Sequence, residues 1–313
     1  MLSIAFKDKL YLYTIKSTVY EENLCKMEMK YLFNKLPENG CLFSDYYVEP
    51  YRSAFIKQCI SIIYTGNTLE EIVSQIINDN LSYEDFKVSF INIEEDVAFQ
   101  DRRRAEYIIG YNINGFADIH NPKVLLGVTK INDKWIFGRL EENKTTWLKH
   151  NHKPYSYSNA LGVRVARALV NIAVCNNLKL RLIDPCCGVG TVVMEALNQG
   201  INIKGCDINP LVAESAKKNL KFFGYEDVIT NEDMHNIKQI YDAAIVDLPY
   251  GLFSIVTLEE QLNIIKDTRR IAKKGIFITY DDMEKYFISL GFTIMDKCHV
   301  DKGSLKRYIT VCS

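Results

Sequence analysis

The stretch Leu180-Arg181-Leu182-Ile183-Asp184-Pro185-Cys186-Cys187-Gly188-Val189-Gly190-Thr191 constrains this chain more than any other. A short apolar run ends in an acid, turns through two glycines and enters a helix-like segment over residues 191–197. Such a strand–turn–helix order suits a nucleotide-type ligand, because the glycines let backbone N–H groups approach closely and the helix start carries partial positive charge. A plain tight turn between a strand and a helix asks for the same glycines, so the residues downstream must decide.

They repeat the pattern. Residues 201–207 read as a second strand ending in Asp207, 19 residues beyond Gly188, near the spacing at which an acid meets ribose hydroxyls. Asn209-Pro210 is a cap and first-turn pair for the next helix, and Gly224 is its stop. Residues 227–230 read as a third strand with Asp233-Met234 just beyond, and residues 241–247 as a fourth, running into Asp247-Leu248-Pro249-Tyr250-Gly251. A helix over 258–272, a strand over 275–280 and a hairpin of 292–300 with 305–311 complete the set. Ahead of them, Ser158-Asn159 caps a helix with Leu161, Val165, Ala168, Leu169 and Ile172 on one face. Strands alternating with helices, closed by an antiparallel hairpin, predict an α/β, doubly wound, Rossmann-like domain over 158–313.

Two features set it apart from a dinucleotide-binding dehydrogenase. No third glycine follows Gly190 at the usual place, where Met194 and Glu195 stand, and a terminal antiparallel hairpin is foreign to that fold. Acids at the ends of successive strands suit a cationic sulfonium carrying a ribose and an adenine. Asp207 would take the ribose hydroxyls, Asp233 the adenine amine, and Asp184 would orient the loop under the methionine part. Asp247-Leu248-Pro249-Tyr250 then points to amine methylation. An amine conjugated to a base is a poor nucleophile, and a strand-end carboxylate plus the next backbone carbonyl can each accept one of its N–H groups. The remaining lone pair is then aimed at the methyl, so catalysis is largely placement. Asp247 could take the released proton, and Tyr250 could stack on the base. A proline-containing loop with a capping aspartate is the plainer reading.

The first half reads as α+β. Residues 9–15 predict a strand, 21–33 a helix, and 41–43 an extended piece; 50–55 lead into a helix ending near Gly66. Thr68 and Glu71 form a capping box. Residues 86–93 predict a strand, Arg102-Arg103-Arg104 open a helix, and 123–131 with 134–139 form a hairpin across Asn132-Asp133. The arginine triplet fits phosphate contact or a solvated helix end. Over residues 144–157, Lys144, Lys149 and Lys153 interleave with Trp147, Tyr155 and Tyr157, the composition of a nucleic-acid contact strip or of an interdomain linker packed by its own aromatics. His150 and His152 lack further ligands nearby, so no metal is expected. With 38 basic and 39 acidic residues, the chain is not a basic nucleic-acid binder by composition. It has no long apolar run for a membrane span, no secretory leader pattern in its first seven residues, and nine cysteines without Cys-x-x-Cys spacing. Free thiols in a cytoplasmic protein are the expectation.

Asp184 to Thr191 together with Asp247 to Gly251 resemble the THUMP-domain RNA guanine-N2 methyltransferases, with the branch acting on guanosine 10 of tRNA the most similar. Residues 153–158 and the helix over 165–171 fit the same family. In the first half, residues 111–118, Asn121-Pro122 and 135–138 resemble the end of a THUMP domain, preceded by a ferredoxin-like unit. The resemblance implies S-adenosylmethionine as cofactor and a structured RNA, above all tRNA, as substrate. It divides the chain into a ferredoxin-like unit (1–60), a THUMP-like domain (61–142), a linker (143–157) and the methyltransferase domain (158–313). The cofactor residues implied are Asp184, Pro185, Cys186, Gly188, Gly190, Thr191, Asp207, Ile208, Asp233 and Met234. Asp247, Leu248, Pro249 and Tyr250 would be catalytic, and Arg102, Arg103, Arg104, Lys144, Trp147, Lys149, Lys153 and Tyr155 would contact RNA. Leu248 stands where the family usually has proline, leaving the carbonyl but not the fixed φ. Methylation of adenine N6 or of a protein glutamine, and a non-catalytic RNA-binding homologue, are the competing readings.

Overall fold

The computed structural model describes residues 9–93, 97–157, 160–249, 256–302 and 305–313. The described residues within 1–16, 36–51 and 55–144 form one compact unit, and those within 17–35, 52–54 and 145–313 form the other.

The first unit contains β1 (Tyr11–Ile15); α1 (Glu22–Phe33), next in the chain, belongs to the second unit. There follow β2 (Cys41–Ser44), β3 (Ile56–Gly66), α2 (Leu69–Asn78), β4 (Phe86–Phe90), α3 (Phe99–Asn112), β5 (Val124–Ile131) and β6 (Lys134–Glu142). The strands form one sheet in the order β2-β1-β3-β6-β5-β4, with β4–β5 its parallel pair. Ile72 and Ile76 of α2 and Ile109 of α3 pack with Phe86, Leu126, Val128 and Phe137 of the sheet. Thr68 caps α2 by accepting Glu71 N–H at 3.2 Å, while the Glu71 carboxylate reaches back to Asn67 N–H at 2.8 Å. The glycine-free hairpin is closed by Asn132 and Asp133, with φ of 47° and 60°, the left-handed pair that a two-residue turn requires.

The helix expected to end near Gly66 is instead a 3-10 turn (Pro50–Arg52) and the long strand β3. Ile56, Ile60, Ile62, Ile63 and Thr65 are β-branched; they crowd a helix and fit a pleated sheet. The domain boundary expected at residue 60 therefore falls inside one strand, and the first 142 residues do not divide there.

The second unit continues with a 3-10 helix (Thr146–His152), α4 (Val163–Val174), β7 (Leu182–Asp184), α5 (Thr191–Asn198), β8 (Ile203–Asp207), α6 (Pro210–Phe222), β9 (Ile229–Asn231), β10 (Ala243–Asp247), α7 (Leu258–Ile271), β11 (Gly275–Thr279), α8 (Glu284–Ser289), β12 (Ile294–Lys302) and β13 (Leu305–Cys312). Its sheet runs β12-β13-β11-β10-β7-β8-β9. Adjacent strands from β11 to β9 are parallel, and β13 lies antiparallel between β11 and β12. The strand order reverses between β7 and β10, which opens a crevice at their carboxyl ends, the usual ligand site of such a sheet. Asn209 caps α6 as expected, accepting Leu211 N–H at 3.0 Å ahead of Pro210. Gly162 holds the cap position of α4; Ser158 and Asn159, expected there, lie outside the described residues.

Residues 143–157 are not a linker. Trp147 and His150 are fully buried in the second unit. His150 Nδ1 meets Glu195 Oε1 at 2.5 Å and its Nε2 meets the Tyr225 hydroxyl at 2.9 Å. Arg167 donates to Glu195 Oε2 at 2.6 Å and lies over the Trp147 ring at 4.9 Å. On another side Glu28 of α1 is buried, accepting from Asn171 of α4 at 2.7 Å and from Ser53 at 2.6 Å. Buried charges persist only when so partnered.

Candidate active site

Asp184 closes β7 and is 3% exposed; its Oδ1 has no partner among the described residues. The chain then turns through Gly188 (φ 53°) and Gly190 (φ 80°) into α5. Both glycines are required. A Cβ on Gly188 would fall 2.4 Å from the Tyr157 hydroxyl, and one on Gly190 would press Leu220 and Ala216 of α6 at 3.3 and 3.4 Å. Asp207, at the end of β8, accepts Gly188 N–H at 3.0 Å and Asn209 N–H at 2.9 Å. One carboxylate thus ties the glycine turn to the cap of α6.

Burial pushes the Asp184 carboxyl well above the usual carboxylate range, and the nearby Asp247 and Asp207 push it further. Asp207 is also raised by burial, against the pull of its two backbone donors. Burial raises the Tyr157 hydroxyl too, with Asp247, Asp207 and Asp184 adding to it. These acids feel one another, so a cationic group placed among them relieves both their repulsion and their desolvation. Thr191 Oγ1, 4% exposed, has no partner among the described residues either. Pro185 and Cys186 line the same turn: the Pro185 carbonyl accepts from the Cys206 thiol at 3.4 Å, and burial pushes the Cys186 thiol far up, so it stays protonated.

Asp247 ends β10. Leu248 is 2% exposed, packed in the core of Val246, Ile265, Phe277 and Met283, and its N–H donates to Ile278 O at 3.0 Å. A proline there has no N–H to give; the leucine fixes the loop by burial and an extended ladder instead. Gln261 of α7 donates to the Pro249 carbonyl at 2.8 Å. The Leu248 carbonyl therefore lies between two anchored points. Tyr250 lies outside the described residues. Beyond β9, Asp233 accepts His235 N–H at 2.9 Å and caps the short turn holding the buried Met234. Ile208, at the end of β8, is 69% exposed, and Asn231 donates to the Asp207 and Ile208 carbonyls at 2.9 and 3.1 Å.

The expected RNA contacts separate. Trp147 is buried against Arg167, so it offers no ring to a ligand. Lys149 is exposed and lies over Phe223 at 5.9 Å; Lys153 is half-buried, and desolvation lowers its ammonium. The Tyr155 backbone is held on both sides by Asn219, at 2.9 Å each way, leaving the ring partly exposed. Lys144 is exposed and belongs to the first unit. There Arg102 lies over Phe99 at 5.7 Å, Arg103 pairs with Glu106 at 2.6 Å, and Arg104 is exposed. Phe99, Arg103, Tyr107 and Tyr111 follow one another at intervals of four along α3, with the tyrosine rings stacked at 6.0 Å and largely exposed. The sequence reading did not single out Tyr107, Tyr111 or Gln261, nor the approach of the Tyr157 hydroxyl to Gly188. A helical count over 99–111 carried the signal for the first two; nothing local marked the others.

Residues 150–274 match the family model of UPF0020, the RMKL-like methyltransferase domain. The tRNA (guanine(10)-N2)-dimethyltransferase of Methanothermobacter thermautotrophicus is 25% identical over 215 residues, 64% of this chain and 62% of that protein. That of Methanocaldococcus jannaschii is 22% identical over 296 residues, 82% and 84% of the two chains. The chain thus spans less than two thirds of the first of these relatives and, at 63%, of the Pyrococcus abyssi protein of the same name. Among solved structures, TrmN from Thermus thermophilus aligns over 97% of this chain and 99% of its own, with a TM-score of 0.48 and 14% identity. The segment that matches this model lies wholly in the second half of the chain.

Proposed function

We propose that the chain is an S-adenosylmethionine-dependent RNA methyltransferase acting on the exocyclic N2 amine of a guanosine in tRNA, at position 10. The observation that carries the reading is the convergence of Asp184, Asp207 and Asp247 at the reversal of strand order, with a glycine turn on one side and an anchored Asp-Leu-Pro loop on the other. The names of the relatives support the choice of RNA and of atom.

The residues fit the donor. A buried carboxylate oxygen without a partner at Asp184, a second acid at Asp207 and two glycines that leave room for a ligand's backbone contacts suit a cation with a ribose. When bound, the donor supplies an electrophilic methyl on sulfonium. Asp247 accepts one N–H of the amine and the Leu248 carbonyl another, which frees the nitrogen lone pair. As the methyl passes from sulfur to nitrogen, Asp247 would take the proton that leaves the nitrogen, directly or through water. Gln261 holds this loop at the Pro249 carbonyl. The first unit supplies RNA contacts through the aromatic and arginine stripe of α3. A guanine paired in a stem must be turned out to reach the loop.

Incubating the full chain with bulk tRNA and labelled donor should yield N2-methylguanosine on nucleoside analysis. Asp247→Ala should lower methyl transfer at least 100-fold while donor affinity changes less than about 3-fold. Absence of label from every tRNA and rRNA pool would overturn the reading, and label in N6-methyladenosine would move it to another amine.

A further inference from the structure

We infer that Tyr157 reads the amino-acid end of the methyl donor, its hydroxyl donating to the carboxylate that the nucleoside part lacks. This rests on the proposed function, and its test separates the two.

Tyr155 and Tyr157 sit two residues apart in one aromatic strip and are 41% and 48% exposed, but their polar ends meet different groups. The Tyr155 backbone is locked by Asn219 and its ring borders Lys218 at 5.6 Å. The Tyr157 hydroxyl lies over the glycine turn, where a Cβ on Gly188 would come within 2.4 Å of it. Among the described residues no hydrogen bond occupies that hydroxyl. It is an unspent donor beside the turn that the acids surround.

The donor's amino-acid tail carries both charges. Its ammonium suits Asp184, whose Oδ1 is buried without a partner. Its carboxylate is repelled by Asp184, Asp207 and Asp247, so it needs hydrogen-bond donors strong enough to hold an anion in an acidic pocket. Two lie at the turn: the start of α5 with the buried, unpartnered Thr191 Oγ1, and the Tyr157 hydroxyl. Although the residue is 48% exposed, desolvation at its hydroxyl and the three acids keep the phenol protonated, so it remains a donor throughout the neutral range. A charge-assisted bond from a neutral hydroxyl to a carboxylate is worth about tenfold in affinity, or about 1.4 kcal/mol.

The test is calorimetry on the full chain and on Tyr157→Phe with four probes: S-adenosylmethionine, S-adenosylhomocysteine, decarboxylated S-adenosylmethionine and methylthioadenosine. Tyr157→Phe should weaken the first two about tenfold and the last two less than twofold, with a melting temperature within about 2 °C of the parent. Equal weakening of all four, or of none, would overturn the inference and leave the proposed function standing. A parent chain that binds none of the four would overturn both.

Discussion

Asp207 accepts the N–H of Gly188 through Oδ2 at 3.0 Å and that of Asn209 through Oδ1 at 2.9 Å. Each oxygen keeps a lone pair, so the carboxylate can order the turn and still take ribose hydroxyls. Asp207→Asn trades one acceptor oxygen for an NH2 group that cannot bond to a backbone N–H. Hydrogen bonds to a charged group are worth about 1.5–3 kcal/mol each, so donor affinity should fall about 10- to 100-fold, with faster amide exchange at Gly188. A loss below twofold by calorimetry would mean that the turn holds without Asp207.

Gly188→Ala should be harmful for two separable reasons. The backbone at φ 53° costs a non-glycine residue about 1 kcal/mol. The new Cβ also meets the Tyr157 hydroxyl at 2.4 Å. Removing that oxygen relieves only the second. Gly188→Ala with Tyr157→Phe should therefore recover part of the stability lost by Gly188→Ala alone, measured by chemical denaturation. Strict additivity of the two changes would show that the hydroxyl does not cover the turn.

These relationships mark where the sequence stops being readable. Apart from the short helix α8, the order of strands and helices from Leu182 to Cys312, the Asn209-Pro210 start and the Asp-ended strands were legible because each rests on local chemistry: periodicity, capping or a turn residue. β3 was misread because Ile56 to Gly66 has apolar residues on both faces, and its β-branched content outweighs its spacing only once neighbouring strands exist. Whether Trp147 belongs to a contact strip or to a self-packed linker stays open in the sequence because its burial depends on Arg167, and that of His150 on Glu195, both distant in sequence. The hydroxyl of Tyr157 faces the turn for the same non-local reason.

Leu248 gives a test of how the catalytic loop is held. If its N–H bond to Ile278 O and its buried side chain fix the loop, then Leu248→Pro removes both. It should cost about 2 kcal/mol or more in stability and lower the rate of methyl transfer more than donor affinity. Gln261→Ala, which frees the Pro249 carbonyl, should lower kcat about tenfold at unchanged stability. A stable, fully active Leu248→Pro would assign the loop's rigidity elsewhere.

The α3 stripe predicts a division of labour in RNA binding. Base stacking on an exposed ring is worth roughly 1–3 kcal/mol, and Tyr107 and Tyr111 stand 69% and 78% exposed. Tyr107→Ala with Tyr111→Ala should weaken tRNA binding at least tenfold with little change in its salt dependence. Arg104→Ala should lower the salt slope by about one ion. Gel-shift titrations at two or more salt concentrations separate these outcomes, and tRNA affinity unchanged in the tyrosine pair would remove α3 from the interface.

Glu28 ties α1 to α4 within the second unit, and its ionisation gives a signed test. Burial raises its pKa, while Ser53, Asn171 and the charges of Arg167 and Arg52 pull the other way without cancelling it. A raised folded pKa means that the folded chain keeps a proton that the unfolded chain releases. The stability so gained is full below the ordinary glutamate value of about 4.3 and is lost as pH rises through the folded value. Glu28→Gln carries a neutral amide that can still accept from Asn171 and donate to Ser53, so its stability relative to the parent should improve as pH rises from about 4 towards 8. Chemical denaturation across that range measures the gap, and a gap that moves the other way would mean that Arg52 and Arg167 hold Glu28 ionised. The same contacts forbid a simple truncation: deleting residues 1–150 removes Glu28, Arg52 and Ser53, strands Asn171 and uncovers α4, and should leave residues 151–313 insoluble rather than active.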